Sequence, residues 1–381
     1  MNNLHISLTA FTHESRVLKE VCAIKKHRLA KLIFIAALHE ETLPETHIIE
    51  TDIELKRFIL ASRGWSKSFL VQIAKYIEFI YKLFVFYRDK GIGIINIHSL
   101  ELLPAGVLLK HMLGAKLIYD THELETEIGG MHGIRKKIAK SVERLFIQQV
   151  DELFVVSDSI AEAYASMYRI ATPHVILNCP EYSTGEKGDV FNKCFNLSDD
   201  VLIFLYQGGL VKGRGVELIL ESFKKLKQPG LVVVFMGYGP LEEEIQRAAA
   251  DFPNILYHQA VPPHDLYRYT CSADVGFSMA QNTCLSHYYC LPNKLFEYTM
   301  AGLPVVVSNM KEMSRFVTTN NLGVVTKNET VEDVIDAILT ITKMDLLSLR
   351  QNALKAAKSY NWGEQEKVLV AAYEKLVGTT A

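Results

Sequence analysis

No sign of charge dominates this chain, and that absence excludes one class of partner at once. Its 381 residues hold 41 Lys and Arg against 43 Asp and Glu, a formal net charge of −2 with a pI near 6.7. A nucleic-acid-binding domain is usually strongly basic, so no nucleic acid is expected as a partner. Cysteine is sparse. Cys22, Cys179, Cys194, Cys271, Cys284 and Cys290 are scattered without a C-x-x-C pair or other metal-ligand spacing. They read as buried or free thiols in a reducing compartment, not as a disulfide framework. The opening MNNLHISLTAF lacks a charged stretch followed by a long apolar run. No secretory signal is therefore expected, and the cytoplasm is the expected address. Long apolar runs are missing as well. The best candidate, Phe69 to Tyr87, carries Lys75, Glu78 and Lys82 at helical spacing on one side. That pattern predicts an amphipathic helix and not a membrane span.

What is present fits two domains of ordinary size with full cores. Hydrophobic content is 49% and charged content 22%, normal for a globular chain of this length. Short apolar runs at 5–9, 32–37, 94–98, 116–119, 153–157 and 174–177 alternate with helical patterns at 14–27, 66–88, 104–113, 133–149 and 158–168. This is the signature of a parallel sheet covered on both faces. After Asn178 the turn-rich CPEYSTGEKGD breaks the periodicity and reads as a linker. A second series follows, with strands expected at 202–207, 231–236, 255–258, 275–278, 305–308 and 323–325. Its helices are expected at 215–226, 240–251, 264–272, 292–301, 311–317, 330–341 and 345–358, and a last amphipathic helix starts after Asn361. The expected fold is α/β, with two tandem doubly wound, Rossmann-like domains facing a central cleft. The expected boundaries are residues 1–180, a linker at 181–190, residues 191–360, and a C-terminal helix at 361–381. Ligands of such sheets sit at the carboxyl ends of strands, which puts the expected site in the cleft.

The stretch LPNKLFEYTMAGLPVVVS, Leu291 to Ser308, is the most informative. Pro292 opens a short helix through Asn293, Lys294 and Leu295, and Gly302 closes it. A helix N-terminus offers free N–H groups and partial positive charge, so with Lys294 beside it this corner suits a phosphate. Glu297 lies one turn further in, where a carboxylate can accept both hydroxyls of a ribose. Phosphate donors followed by a diol acceptor describe a nucleotide site. Earlier, Gln207-Gly208-Gly209-Leu210-Val211-Lys212-Gly213-Arg214-Gly215 follows the first strand of the second domain. Its glycines allow close backbone approach to an anion, and Lys212 and Arg214 add charge. Tight strand-to-helix turns also use glycine for geometry alone. Gly237-Tyr238-Gly239-Pro240-Leu241 makes the next such turn, and a plain turn is the competing reading for Tyr238. In the first domain Asp120, His122 and Glu123 gather at a strand's carboxyl end, a placement poorly explained by core burial alone. His98 ends the neighbouring strand as an acceptor-side or structural residue.

These motifs resemble the GT-B glycosyltransferases, most closely the retaining family 4 type, over nearly the whole chain. The resemblance implies a first domain that binds acceptor and a second that binds a nucleotide-sugar, with the last helix crossing back onto the first. It also implies transfer of a sugar, most readily from a UDP-sugar, to a glycan or lipid-linked acceptor in surface polysaccharide or glycoconjugate synthesis. His122, Arg214, Lys294 and Glu297 take the catalytic positions. Gly208, Gly209, Lys212, Arg214, Gly237, Tyr238, Gly239, Asn293, Lys294, Leu295 and Glu297 take the nucleotide-sugar positions. Two departures stand out. Gly209 replaces the arginine of the family's G-R-x-x-x-x-K-G pattern, with Arg214 at the lysine position and Lys212 the nearest substitute. Tyr289 replaces the first of two glutamates spaced by seven residues. A non-catalytic GT-B partner that binds nucleotide or protein, and a sugar-nucleotide epimerase of the same fold, are the rival readings. No D-x-D motif sits near the diphosphate position, so no metal ion and no cofactor besides the donor is expected.

Basic and aromatic residues interleave between Lys56 and Lys90. Lys56, Arg57, Arg63, Lys67, Lys75, Lys82, Arg88 and Lys90 stand against Glu78 and Asp89. The stretch suits either a solvated basic helix face or peripheral contact with an anionic membrane, at the inner face if so. Arg135, Lys136, Lys137, Lys140 and Arg144 form a second basic run.

Overall fold

The structure, a computed structural model, describes residues 1–66 and 68–378. The chain divides into two compact units: Met1–Ile176 with the chain from Glu366 onward, and Leu177–Gln365.

The first unit contains β1 (Asn2–Ile6), α1 (Ser15–Lys26), β2 (Ile33–Leu38), β3 (Thr46–Glu50), β4 (Ile53–Phe58), α2 (Phe69–Tyr87) and β5 (Ile92–Ile97). It continues with α3 (Leu103–Leu113), β6 (Lys116–Asp120), α4 (Gly133–Phe146), β7 (Glu152–Val155), α5 (Asp158–Tyr168) and β8 (His174–Val175). The sheet order is β3-β4-β2-β1-β5-β6-β7-β8, parallel except for the edge pair β3–β4. That edge pair was not expected from the sequence. Strand β3 is mostly exposed and short, as edge strands often are. In β4 the inward Ile53 and Leu55 are followed by Arg57, whose charge hides the alternation. Arg57 is buried because it donates to the carbonyls of Ala10, Pro44 and Phe11. Lys56, beside it, pairs with Glu45 at 2.8 Å. The stretch from 56 to 90 is thus a strand, a loop and a helix, and these two cations of the strand are engaged by residues of adjoining loops. Lys67 lies outside the described residues.

The second unit contains α6 (Val190–Phe195), β9 (Leu202–Gln207), α7 (Val216–Lys225), β10 (Leu231–Gly237), α8 (Glu242–Asp251), β11 (Ile255–Gln259) and α9 (Pro263–Thr270). Then come β12 (Val275–Ser278), α10 (Leu285–Tyr288), α11 (Asn293–Met300), β13 (Val305–Val307), α12 (Lys311–Asn320), β14 (Gly323–Val325), α13 (Val331–Ile341) and α14 (Leu346–Ala357). Its sheet is wholly parallel, in the order β11-β10-β9-β12-β13-β14. Strands such as β10 are buried along their full length because helices cover both faces, and so they read as continuous apolar runs. The order reverses between β9 and β12, so the carboxyl end of β9 is a topological switch point. Helix α15 (Trp362–Gly378) begins in the second unit and ends in the first. Within the first unit Glu366 meets Lys26 and His27, Tyr373 donates to Asn96 at 2.9 Å, and Lys375 pairs with Glu152 at 2.7 Å.

Candidate active site

The switch point of the second sheet gathers most of the residues singled out in its sequence. Strand β9 ends at Gln207, and the chain turns through Gly208 before entering α7. The next strand's turn lies so close that a Cβ on Gly237 would stand 1.9 Å from the Gly208 carbonyl oxygen. Only glycine permits this approach. Gly215 ends the first loop at φ 76°, where a Cβ would meet the Met279 carbonyl at 2.3 Å. Gly239 sits similarly close to Leu210. Two glycine loops are thereby stacked at one sheet edge.

Helix α11 is aimed at this edge by Tyr298. The Tyr298 hydroxyl donates to the Leu205 carbonyl at 3.2 Å and accepts from the Gln207 amide at 3.0 Å, tying the helix to the end of β9. The N-cap of α11 is Pro292, and no side chain caps its first turn. Lys294, in that turn, lays its ammonium over the Tyr206 ring at 3.7 Å from the centroid, a cation–π contact. Desolvation lowers the Lys294 pKa to about 7, with Arg214 adding to the depression and Glu297 opposing it. Lys294 is thus desolvated beside a second cation, Arg214, and an anion bound there would favour its charged form. Glu297 is oriented by Gln207, whose side-chain amide donates to it at 2.5 Å and accepts from Thr270 at 2.8 Å.

Other predicted residues stand apart from this corner. Lys212 is 82% exposed and lies 3.8 Å from Glu217. Tyr238 is exposed, Asn293 is exposed at the tip of α11, and Leu295 is wholly buried among core side chains. Tyr289 lies beside Tyr288 with ring centroids 5.5 Å apart and the rings tilted by 42°, and Lys311 stands over its ring. Sequence reasoning gave no role to Tyr206, Thr270 or Tyr298. In the sequence Gln207 reads only as the start of a glycine loop. Its position at the end of the first strand of the unit was the available signal.

The first unit has its own polar cluster. Asp120 is fully buried at the end of β6 and accepts from Arg16 at 2.6 and 3.0 Å, from His98 Nδ1 at 3.1 Å and from His122 Nε2 at 3.1 Å. Burial would raise its carboxyl, but Arg16, His122 and these hydrogen bonds hold it well below the usual range. An ionised carboxylate only accepts, so both imidazoles donate to it. His98 Nε2 then accepts from His5 Nδ1 at 3.0 Å, and burial keeps both of these histidines from charging. His122 alone of the three reaches solvent. Asp120, His98 and His122 bring ligand-capable atoms within 4.8 Å of one another, but Arg16 occupies the carboxylate.

Residues 191–360 match the family model described as Glycosyl transferases group 1. Among curated proteins none matches the sequence. Solved structures do. Sucrose-phosphate synthase from Thermosynechococcus elongatus is similar at TM-score 0.81 and 15% identity, covering 100% of both chains. A glycosyltransferase from Rickettsia africae is similar at TM-score 0.73 and 14% identity, covering 99% of this chain and 98% of that one. HepE from Anabaena, in complex with UDP-glucose, is similar at TM-score 0.71 and 12% identity, covering 100% and 99%. At such identities the likeness shows the fold. Two Rossmann-like units with this switch-point site define the GT-B class of protein. Residues 191–360 thus carry a glycosyl transferases group 1 domain within a chain of the GT-B fold.

Proposed function

We propose that the protein transfers a sugar from a UDP-sugar to a glycan or lipid-linked acceptor, with retention and without a metal ion, in surface polysaccharide or glycoconjugate synthesis. The observation that carries this reading is the corner around α11. Glu297 is held by Gln207 to accept the ribose diol, and Lys294 and Arg214 stand where a diphosphate follows. Lys294, Arg214 and the open first turn of α11 would neutralise charge on the departing diphosphate, the largest electrostatic demand of the reaction. Gly208, Gly209, Gly237 and Gly239 let backbone approach the donor, while Lys212, Tyr238 and Asn293 lie outside that corner and Leu295 serves the core. His122, whose Nε2 donates to Asp120, is assigned to the reaction centre. The UDP and UDP-glucose held by HepE support a uridine donor by analogy. The location that goes with this chemistry is the cytoplasm, at the inner face of a membrane for a lipid-linked acceptor.

Tyr289 favours one rival, a GT-B partner that binds nucleotide without transferring sugar, because a family glutamate is replaced there. A thermal-shift panel of UDP-, GDP- and ADP-sugars followed by product analysis separates the readings. The transferase reading expects the largest rise in melting temperature with a UDP-sugar, because a ligand that binds only the folded state stabilises it. It also expects UDP release with acceptor. Stabilisation without any product would leave the binding partner, and no stabilisation by any donor would contradict both.

A further inference from the structure

The first unit exposes apolar side chains in an order that folding does not require. On α2, Leu70, Ile73, Ile77, Tyr81 and Val85 recur every three or four residues, and all are exposed. That is one continuous stripe on the face opposite the buried Phe79, Leu83 and Tyr87. Helix α3 adds the exposed Leu108 and Met112, and α4 adds Ile134, Ile138 and Leu145, again at helical spacing. Helix α3 lies against both α2 and α4, so the three outward faces adjoin. A contiguous apolar surface of this kind marks an interaction site, since isolated exposed apolar residues do not align along neighbouring helices.

Charge decides what covers it. Although the chain as a whole carries a net charge of −2, these three helices present no exposed carboxylate. Glu78 is bound by Ser62 and Lys82, and Glu143 is buried beneath Tyr119, Tyr164 and Tyr168, which all donate to it. Helix α3 contains no acid. Lys136 and Lys140 are engaged by Glu127. Arg135, Lys137 and Arg144 remain exposed on α4, beside its apolar stripe. Among the described residues no helix is long and apolar enough to cross a membrane.

We propose that the outward faces of α2, α3 and α4 form a docking surface for an anionic lipid membrane. The apolar stripes enter the headgroup boundary and the cations of α4 meet anionic headgroups. The cations of β4 take no part. The inference extends the location given under the proposed function. It is tested without donor or acceptor, so its failure and that of the transfer reaction are separate results.

The full chain is sedimented with vesicles of phosphatidylcholine alone and of phosphatidylcholine with phosphatidylglycerol, at low and high salt. Wild type should bind the mixed vesicles at low salt and release at high salt, because surface charge attraction is screened. Ile77→Glu with Tyr81→Glu, and separately Arg135→Glu with Lys137→Glu, should each lower vesicle partitioning at least about tenfold with an unchanged melting temperature. Absence of wild-type binding to mixed vesicles would overturn the proposal. So would unaltered lipid binding by Ile77→Glu with Tyr81→Glu accompanied by a dimer-to-monomer shift in sedimentation velocity, which would assign the surface to a second copy of this chain.

Discussion

Lys294 is the residue on which the electrostatics turn. A lysine with a pKa near 7 is largely neutral at pH 8 in the free protein, and a diphosphate bound beside it would restore its charge. UDP binding at pH 8 should therefore take up protons, and affinity should rise as pH falls from 8.5 toward 6.5. Calorimetry in buffers of different ionisation enthalpy reads this directly, and Lys294→Met should abolish the proton uptake. The sign for stability runs the other way. The folded state binds fewer protons than the unfolded chain between about pH 7 and the ordinary lysine range, so stability from this group rises with pH across that window. Below it the desolvated charge is a penalty. Lys294→Met should accordingly raise the melting temperature of the unliganded protein at pH 6. Arg214 carries the other half of the charge. Arg214→Ala should lower turnover about 100-fold, the usual loss for one transition-state donor, and steady-state kinetics check it. The nearness of Lys294 and Glu297 was legible because their three-residue spacing sets both on one face of a short helix. Gln207 as the orienter of Glu297 was not, because the contact joins positions 90 residues apart.

At the scale of elements, the site depends on backbone that no side chain could replace. Gly237→Ala would put a methyl group into the Gly208 carbonyl, so the β9 and β10 turns would have to part. The expected cost is at least about 2 kcal/mol of stability, together with lost nucleotide binding, read by denaturant unfolding and UDP titration. A variant as stable as wild type with full UDP affinity would mean that these turns do not set the site. Strands β9 to β14 and most helices could be read from the sequence because both faces of each strand are covered, and the helices bury one stripe. The edge hairpin β3–β4 escaped because an inward arginine and an exposed strand break both periods. The four-residue helix α10 escaped because it is too short to show one.

For the whole molecule, the two units divide the proposed labour. The proposed nucleotide contacts all belong to Leu177–Gln365, while His122 and its buried supports Asp120, His98 and His5 belong to the unit that begins the chain. His122→Ala should leave the melting temperature and UDP affinity unchanged and reduce transfer sharply. Full transfer activity in that variant would make His122 a surface neighbour of a structural cluster. Asp120 would behave differently: it is the shared buried acceptor of Arg16, His98 and His122, so Asp120→Ala should lower the stability of the first unit strongly. The doubly wound architecture of both units was legible from the alternation of apolar runs and helical patterns. The units divide at Ile176 and Gln365, and α15 runs through the second boundary without a break in its pattern.

The central claim is that the α11 corner binds a nucleotide diphosphate through Glu297. Calorimetric titration of UDP into wild type and Glu297→Ala, both checked for equal melting temperature, tests it most directly. The account predicts measurable UDP binding by wild type and a loss of at least about tenfold in affinity for the variant, the scale of a charged hydrogen-bonding partner removed. Equal UDP affinity in the two proteins, or none in wild type, would contradict it.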